Sequence, residues 1–180
     1  QLKALDQVDN PRLVAADTMN FWIENTPDAL AEMLTRVDVL VINDSEAREL
    51  ANEPNLIKAA GQIRAMGPET LVIKKGEHGA LLFMDDTLFS VPAYPLEDIQ
   101  DPTGAGDTFA GGFIGHMDRI DASDSEEFKR SMIYGSALAS YVVEAFGPDR
   151  LMDLSIEDIA TRAREFRELT AVPKLSAVRV

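Results

Sequence analysis

The sequence predicts an α/β fold, a three-layer α/β/α sandwich built on a mostly parallel sheet. Short apolar runs, such as those at 38–42 and 70–75, alternate with helical patterns, which is typical of parallel strands connected by helices. The runs are continuously apolar, so helices should cover both faces of the sheet. No repeat, low-complexity segment or clear linker interrupts the chain, and we therefore predict a single domain over residues 1–180.

The predicted elements follow one another in a regular order. Strands are expected at residues 13–17, 38–42, 70–75, 80–84 and 87–91, with the last two forming a hairpin. Helices are expected at residues 1–8, 27–36, 43–50, 56–66, 127–145 and 155–169. Residues 18–22 should form a loop at the carboxyl end of the first strand, and residues 121–126 an acidic connection before the long helix.

The composition excludes several functional classes. The formal net charge of -14 argues against nucleic acid and anionic membrane surfaces as partners. No apolar run approaches the roughly 20 residues that a membrane span requires. Cysteine is absent, which excludes disulfides and thiolate metal sites and fits a cytoplasmic enzyme.

The most informative stretch is DPTGAGDTFAGG at residues 101–112. Pro102 stiffens a turn, and Gly104 and Gly106 let a ligand approach the main chain closely. A glycine turn at the start of a buried helix leaves N–H groups pointing at one spot, with the positive end of the helix dipole behind them. Such an arrangement suits a phosphate group.

Asp107 is an unusual residue for a loop that only holds phosphate. A carboxylate beside an anion hole is placed to take a proton from a hydroxyl that attacks phosphorus. The alternative is that Asp107 is a first-turn acid favoured by the helix dipole, with glycines that permit close packing. The stretch lacks both the G-x-x-x-x-G-K-[ST] pattern of the P-loop and the third glycine of a dinucleotide fingerprint.

This stretch closely resembles the C-terminal signature of the PfkB, or ribokinase-like, sugar and nucleoside kinases, which is roughly D-T-x-G-A-G-D-x-F. The resemblance implies a ribokinase-like fold and ATP-dependent phosphorylation of an alcohol. It also implies that Asp107 is the catalytic base and that Gly104, Ala105 and Gly106 form the anion hole. The expected acceptor is a small sugar, with a nucleoside as the alternative.

Asn43 and Glu46 lie three residues apart where a strand runs into a helix, and two interpretations of them remain open. A capping box explains the spacing, because the Asn side chain can bind an N–H ahead and the Glu can reach back. The N-x-x-E motif of the family instead implies a Mg²⁺ and phosphate station that acts largely through water. We favour the metal role beside the glycine signature.

The resemblance also implies nucleotide-binding residues. The segment Lys74, Gly76, Glu77 and Gly79 stands where the family usually has T-x-G-x-x-G against the nucleotide; without the resemblance it is a hairpin turn. Lys74 replaces the customary threonine and could bind phosphate as a point charge. Thr103 joins this group, and the small-residue helix face at Gly135 and Ser136 would lie under adenine, or would only permit close helix packing.

Further expectations concern the cation requirement and the extent of the chain. Asp101 and Thr103 are expected to border a K⁺ site, as in many PfkB kinases. The chain starts at Gln1 without methionine, so we expect it to lack the N-terminal part of the family fold and, alone, to bind ATP weakly without turnover. The strand edge exposed by that cut would favour a homodimer or aggregation, and a non-catalytic nucleotide-binding fragment is the alternative function.

Overall fold

The computed structural model describes residues 2–120 and 125–172. Their strands, β1 (Ala15–Asp17), β2 (Val39–Asn43), β3 (Thr70–Lys74), β4 (Ala80–Met84) and β5 (Thr87–Val91), form one sheet in the order β1-β2-β3-β4-β5. The first three strands pair in parallel, whereas β3–β4 and β4–β5 are antiparallel. The sheet is therefore mixed, with the parallel part before the predicted hairpin.

The described helices are α1 (Leu2–Leu5), α2 (Asn20–Asn25), α3 (Pro27–Leu34), α4 (Asp44–Ala51), α5 (Leu56–Arg64), α6 (Ala105–Arg119), α7 (Ser125–Val142), α8 (Asp149–Met152) and α9 (Ile156–Leu169). A 3₁₀ turn, Gly76–His78, connects β3 to β4. In the part of the chain that the structure describes, no helix is long and apolar enough to cross a membrane.

Helices cover both faces of the sheet, which confirms the three-layer sandwich. Successive side chains of a strand point to opposite faces. On one face, Val39 and Val41 of β2 belong to a core completed by α6, α7 and α9. On the other, Leu40 and Ile42 belong to a second core completed by α3, α4 and α5. The continuous apolar pattern of the strands follows from this double burial.

Two glycines let α6 and α7 approach each other closely. A Cβ atom added to Gly112 would lie 3.1 Å from the Cα of Gly135 and 2.7 Å from Cδ1 of Leu138. A Cβ atom on Gly135 would in turn lie 2.8 Å from the carbonyl oxygen of Phe109. The start of α6, which carries the glycine-rich turn, is thereby fixed against α7.

The structure corrects several element boundaries. The expectation of a loop at residues 18–22 is wrong from Asn20 onward, because α2 begins there: the N–H groups of Trp22 and Ile23 donate to the Met19 carbonyl, and Ile23 packs on the second core. The helix α7 starts at Ser125 and ends at Val142, instead of spanning 127–145. Both α1 and β1 are shorter than predicted. Of the predicted acidic connection, residues 121–124 lie outside the described residues.

Candidate active site

The glycine-rich turn leads directly into α6. Gly104 is the N-cap residue and has φ +82° and ψ -3°, in the left-handed region that glycine adopts without a steric cost. Before it, the Thr103 N–H donates to Oδ1 of Asp101 over 2.9 Å. The Gln100 N–H donates to the Val143 carbonyl over 2.8 Å, which ties the turn to the segment after α7.

The turn keeps Asp101 ionised. The pKa of the Asp101 carboxyl is lowered, first by a hydrogen bond from the Thr103 side chain and then by the Thr103 backbone N–H, with a smaller contribution from the Gly147 N–H. Hydrogen bonds to the charged form favour that form. A negative charge therefore stands just ahead of the positive end of α6.

The free N–H groups of the turn differ from the predicted set. The Ala105 N–H is already used, because it donates to the Pro102 carbonyl over 3.2 Å. Within residues 2–120 and 125–172, the N–H groups of Gly104, Gly106 and Asp107 meet no hydrogen-bond acceptor. The N–H groups without an acceptor are thus those of Gly104, Gly106 and Asp107, whereas the Ala105 N–H of the predicted set has an acceptor within the turn.

Asp107 lies in the first turn of α6 with its side chain exposed. Among the ion pairs of the described residues, none involves Asp107. The carboxylate is therefore accessible to a ligand and is not committed to a structural contact. This placement is compatible with both sequence interpretations, the catalytic base and the first-turn acid that favours the helix dipole.

The side chain of Lys74, at the end of β3, reaches the glycine-rich turn. It is the last residue of β3, is half-buried, and pairs in register with Asn43 at the end of β2. A Cβ atom added to Gly106 would lie only 2.8 Å from Nζ of Lys74. The ammonium group therefore rests against the main chain of the predicted anion hole.

Asn43 and Glu46 form the capping box that their spacing predicts. Oδ1 of Asn43 accepts from the Glu46 N–H over 2.9 Å, and the Asn43 N–H donates to Oε2 of Glu46 over 2.8 Å. The Ser45 hydroxyl also donates to Oδ1 of Asn43, over 2.6 Å. The capping interpretation is thus confirmed, although it does not exclude a second role for these side chains.

These contacts limit how the pair can serve a metal ion. Both lone pairs of Oδ1 in Asn43 are used, whereas Oε1 of Glu46 accepts no hydrogen bond from a described residue. Glu46 is also 7% exposed, so water reaches it only at one edge. Mg²⁺ keeps several of its waters and needs few protein oxygens. The residues therefore fit a Mg²⁺ ion held through water and one carboxylate oxygen. Within the described ranges, no group of three or more acidic or histidine side chains could hold a metal.

The turn after β3 depends on two glycines with positive φ. Gly76 has φ +55° and open space around it, whereas a Cβ atom on Gly79, at φ +83°, would lie 2.0 Å from the Val91 carbonyl oxygen. The Lys75 N–H closes the turn on the Gly79 carbonyl over 2.7 Å. Glu77 has 82% of its side chain exposed, so it faces solvent from the tip.

Packing accounts for Gly135, which lies against Phe109 and close to Gly112. Its neighbour Ser136 is 8% exposed. Close helix packing, the plainer of the two interpretations of this small-residue face, is therefore present. An adenine contact at Gly135 or Ser136 stays a prediction.

The structure thus brings together one group of the predicted residues. Lys74 contacts Gly106 and pairs with Asn43, and Asn43 is bonded to Glu46. In the described ranges, no hydrogen bond or ion pair joins Glu77 or Ser136 to this group. The sequence analysis did not include the Asp107 N–H among the free donors. The sequence signal was Pro102: a turn at this residue lets its carbonyl accept the Ala105 N–H, which moves the set of free N–H groups toward Asp107.

The chain is similar to known kinases along most of its length. The model of the pfkB family of carbohydrate kinases matches residues 9–153. A cytidine kinase of Thermococcus kodakarensis is 33% identical over 123 residues, covering 66% of this chain and 44% of the relative. A 1-phosphofructokinase of Haloferax volcanii is 31% identical over 163 residues, covering 88% of this chain and 50% of the relative. The chain spans about half the length of the curated relatives it matches.

Solved structures of kinases have a fold similar to that of this chain. Aminoimidazole riboside kinase from Salmonella enterica, complexed with aminoimidazole riboside and an ATP analogue, superposes with a TM-score of 0.71 at 24% identity, covering 84% of this chain and 52% of that one. A candidate ribokinase II from E. coli, in complex with ATP and Mg²⁺, also gives a TM-score of 0.71, at 25% identity, covering 85% and 49%.

Proposed function

Because the chain belongs to the pfkB family of carbohydrate kinases, we propose that it transfers the γ-phosphate of ATP to a hydroxyl group of a sugar. The observation that carries the proposal is the turn at the start of α6. There, free N–H groups of Gly104, Gly106 and Asp107 and the Lys74 ammonium meet beside an exposed carboxylate. Donors for an anion and an accessible acid are the two groups that phosphoryl transfer to an alcohol requires.

Asp107 is the general base of the proposed reaction. Its carboxylate accepts the proton of the acceptor hydroxyl as the hydroxyl oxygen bonds to the γ-phosphorus and the bond to the leaving oxygen of ADP breaks. The N–H groups of Gly104, Gly106 and Asp107 donate to the oxygens of the transferring group, where negative charge is greatest. Fixed donors of this kind cost no reorganisation at the moment of reaction.

Glu46 is the proposed metal-side residue, with Asn43 as its support. When bound, Mg²⁺ neutralises charge on the phosphates and orients them. The free Oε1 of Glu46 would hold the ion's water shell, while the two capping hydrogen bonds fix the carboxylate. Structural and metal roles are compatible here because they use different oxygens of the same carboxylate.

The remaining nucleotide contacts are proposed from the positions of the turns. Gly76, Glu77 and Gly79 form the turn that follows Lys74, and Thr103 precedes the α6 turn. Gly135 and Ser136 lie on α7, behind the start of α6. We assign the phosphates and ribose to the first set and the adenine ring to the second. A K⁺ ion next to ionised Asp101 would complete the charge balance of the site.

The relatives act on two classes of acceptor. Relatives named ribokinase favour a sugar, whereas the cytidine kinase and nucleoside kinase matches favour a nucleoside. Ribose and cytidine both contain a ribose unit, so a pentose or a pentoside is the first acceptor to test. A non-catalytic nucleotide-binding module is the second candidate function, and the exposed Asp107 argues against it, because that acid adds little to holding ATP.

The decisive experiment measures ADP release with a panel of sugars and nucleosides, using protein expressed from the complete gene. We expect one acceptor to stimulate ADP release in the presence of Mg²⁺. ATP binding without stimulation by any acceptor would favour the binding module.

A separate experiment tests the K⁺ site. Equal activity in K⁺ and in a bulky organic cation, at matched ionic strength, would remove the K⁺ site from the proposal.

A further inference from the structure

Arg162, in the middle of α9, is enclosed by side chains from three other parts of the chain. Its side chain is 13% exposed, and its guanidinium carbon lies 3.5 Å from the ring centre of Tyr141 and 4.5 Å from that of Tyr94. Nη1 donates to Oε1 of Glu144 over 2.6 Å and to Oγ of Ser140 over 3.1 Å. A guanidinium that contacts two aromatic rings and a carboxylate is held in one position.

The partners of this guanidinium belong to the two segments that meet at the glycine-rich turn. Tyr94 lies in the connection from β5 to that turn, and its hydroxyl donates to Oε2 of Glu165 on α9 over 2.7 Å. Glu144 follows the end of α7 and adjoins Val143, whose carbonyl accepts the Gln100 N–H over 2.8 Å. The helix α9 therefore holds the connection before the turn and the segment after α7 at the same time.

The segment after α7 in turn holds Asp101. The Asp101 N–H donates to the Val143 carbonyl over 3.4 Å, and the Gly147 N–H donates to the Asp101 carboxylate. Among the described residues, no hydrogen bond or ion pair joins Arg162 to Asp101 directly. Any influence of Arg162 on the turn is therefore transmitted by the segments that flank it.

We propose that Arg162 is a positioning residue for the proposed phosphoryl transfer: through the two segments that it contacts, it fixes Asp101 and the start of α6. This inference rests on the proposed function and adds a residue outside the glycine signature at 101–112. The N–H groups of the turn stabilise the transferring group only where its charge develops, and a displacement of about 1 Å can lower the rate about a hundredfold. In this role Arg162 contacts no reacting group and acts on geometry alone.

Amide hydrogen exchange tests the positioning without a catalytic assay. The Gln100 and Gly147 N–H groups report on the contact between the turn and the segment after α7. The Val72 N–H, in the centre of β3, reports on the opening of the sheet. We expect Arg162→Met to raise the exchange rates of Gln100 and Gly147 at least about tenfold more than that of Val72, because the turn then opens locally without breaking the arginine contacts.

The chain offers a matched control and milder variants. Arg164→Met removes the same charge from the same helix, but Arg164 has 64% of its side chain exposed and pairs with Glu157, so the exchange rates should not change. Arg162→Lys should restore part of the protection, since an ammonium can pair with Glu144 but lacks the planar fork that stacks on rings. Glu144→Gln removes the charge partner at nearly constant volume, and it carries the same test if Arg162→Met does not fold.

A double-mutant cycle with Asp101→Asn gives an independent measurement. Substitutions at sites that share no partner have additive effects on stability. A merely structural arginine therefore predicts the same shift of the urea midpoint for Asp101→Asn in the wild-type and Arg162→Met backgrounds. We expect a smaller shift in the Arg162→Met background, because the segment that holds Asp101 is already displaced there.

Kinetic constants of the active product of the complete gene should separate. We expect Arg162→Met to lower kcat at least about tenfold and to change the KM for ATP less than about threefold, because the fixed donors act on charge that develops only during transfer. Arg164→Met should change neither constant, and Arg162→Lys should recover part of kcat.

The outcomes distinguish this inference from the proposed function. Faster exchange at the turn, a non-additive cycle and a kcat loss confined to the Arg162 variants would support the positioning role. Unchanged exchange with an additive cycle, or full kcat despite faster exchange, would overturn that role and leave the kinase proposal standing. Coupling of Arg162 to Asp101 in a gene product that transfers phosphate to no acceptor would support the link between α9 and the turn and overturn the kinase proposal.

Discussion

Asn43 and Glu46 bind each other reciprocally: each accepts the backbone N–H of the other, over 2.9 and 2.8 Å. The same two side chains stand at the carboxyl end of β2, beside Lys74 at the end of β3. The edge of the sheet that should receive the nucleotide phosphates is therefore also the start of α4. A change in Glu46 can act on stability, on metal binding, or on both.

We predict that Glu46→Gln raises the Mg²⁺ concentration needed for half-maximal activity while moving the melting temperature little. The amide oxygen of Gln can still accept the Asn43 N–H, so most of the capping box remains, whereas the negative charge near the ion is lost. Mg²⁺ titration of the kinase reaction and thermal unfolding are the two measurements. Asn43→Ala should instead cost about 1 kcal/mol of stability, as the loss of an N-cap residue does.

Another capping box, in the described part of the chain, provides the matched control. Ser155 and Asp158 form the same reciprocal bonds at the start of α9. Asp158→Asn makes the same acid-to-amide change there, and we expect no effect on the Mg²⁺ requirement. If Glu46→Gln lowered the melting temperature as Asn43→Ala does and left the Mg²⁺ titration unchanged, Glu46 would be a structural residue only.

We predict that Asp107→Asn lowers turnover at least about a hundredfold and leaves ATP affinity nearly intact, since a positioned base contributes 10²–10⁴-fold. Asp107 is exposed and forms no ion pair with a described residue, so its replacement should not disturb the fold. Steady-state kinetics together with nucleotide calorimetry measure both effects. A variant that phosphorylates its acceptor at near wild-type rate would show that another group accepts the proton.

The sequence predicts the layers of the fold because burial leaves a direct pattern. The apolar run of β2 is hydrophobic at every position because Val39 and Val41 face one core and Leu40 and Ile42 the other. The capping box was predictable because its residues are local, three positions apart. The exact bounds of the helices were less predictable. The helix α2 starts at Asn20 without a side-chain cap, so no capping residue in the sequence marks its beginning.

Contacts between distant segments could not be predicted in this way. Lys74 and Gly106 are 32 positions apart in the sequence, and their approach depends on how α6 packs over the sheet. Likewise, Arg162 of α9 lies 3.5 Å from the ring centre of Tyr141 and donates to Glu144 over 2.6 Å. An arginine on a charged amphipathic helix gives no signal for such a contact. Both contacts depend on tertiary packing, which periodicity does not encode.

The lowered pKa of Asp101 predicts a pH-dependent contribution to stability. Because the folded-state pKa lies below the unfolded value, the contribution is present above the unfolded pKa of about 3.9 and disappears as pH falls through the folded-state pKa. Asp101→Asn should therefore be less stable than the wild type at neutral pH, and the difference should shrink below about pH 4. Urea unfolding from neutral to acid pH measures the difference.

The control for this experiment is Asp153→Asn, an exposed acid at the end of α8 that has no ion pair with a described residue. The Asp153→Asn variant removes one negative charge from the protein but leaves the hydrogen bonds from Thr103 to Asp101 in place. A difference between wild type and Asp101→Asn that stayed constant through the acid range would mean that the Thr103 contacts do not depend on ionised Asp101.

Finally, we predict that the two glycines of the turn after β3 differ sharply in their tolerance of alanine. Gly76→Ala should cost about 1–2 kcal/mol, the penalty of a left-handed conformation for an L-residue, because the added methyl group meets no atom within 4 Å. Gly79, at φ +83° and ψ -141°, lies near a backbone region that is essentially restricted to glycine, and alanine there also places its methyl group 2.0 Å from the Val91 carbonyl oxygen and 2.6 Å from the Pro92 carbonyl carbon. Both atoms belong to the backbone and cannot rotate away, so the start of β4 must separate from the end of β5. We expect a total cost of about 3 kcal/mol or more for Gly79→Ala, measured by urea unfolding beside Gly76→Ala. Equal costs for the two variants would show that the turn relaxes freely, and that Gly79 is required only for its backbone angles.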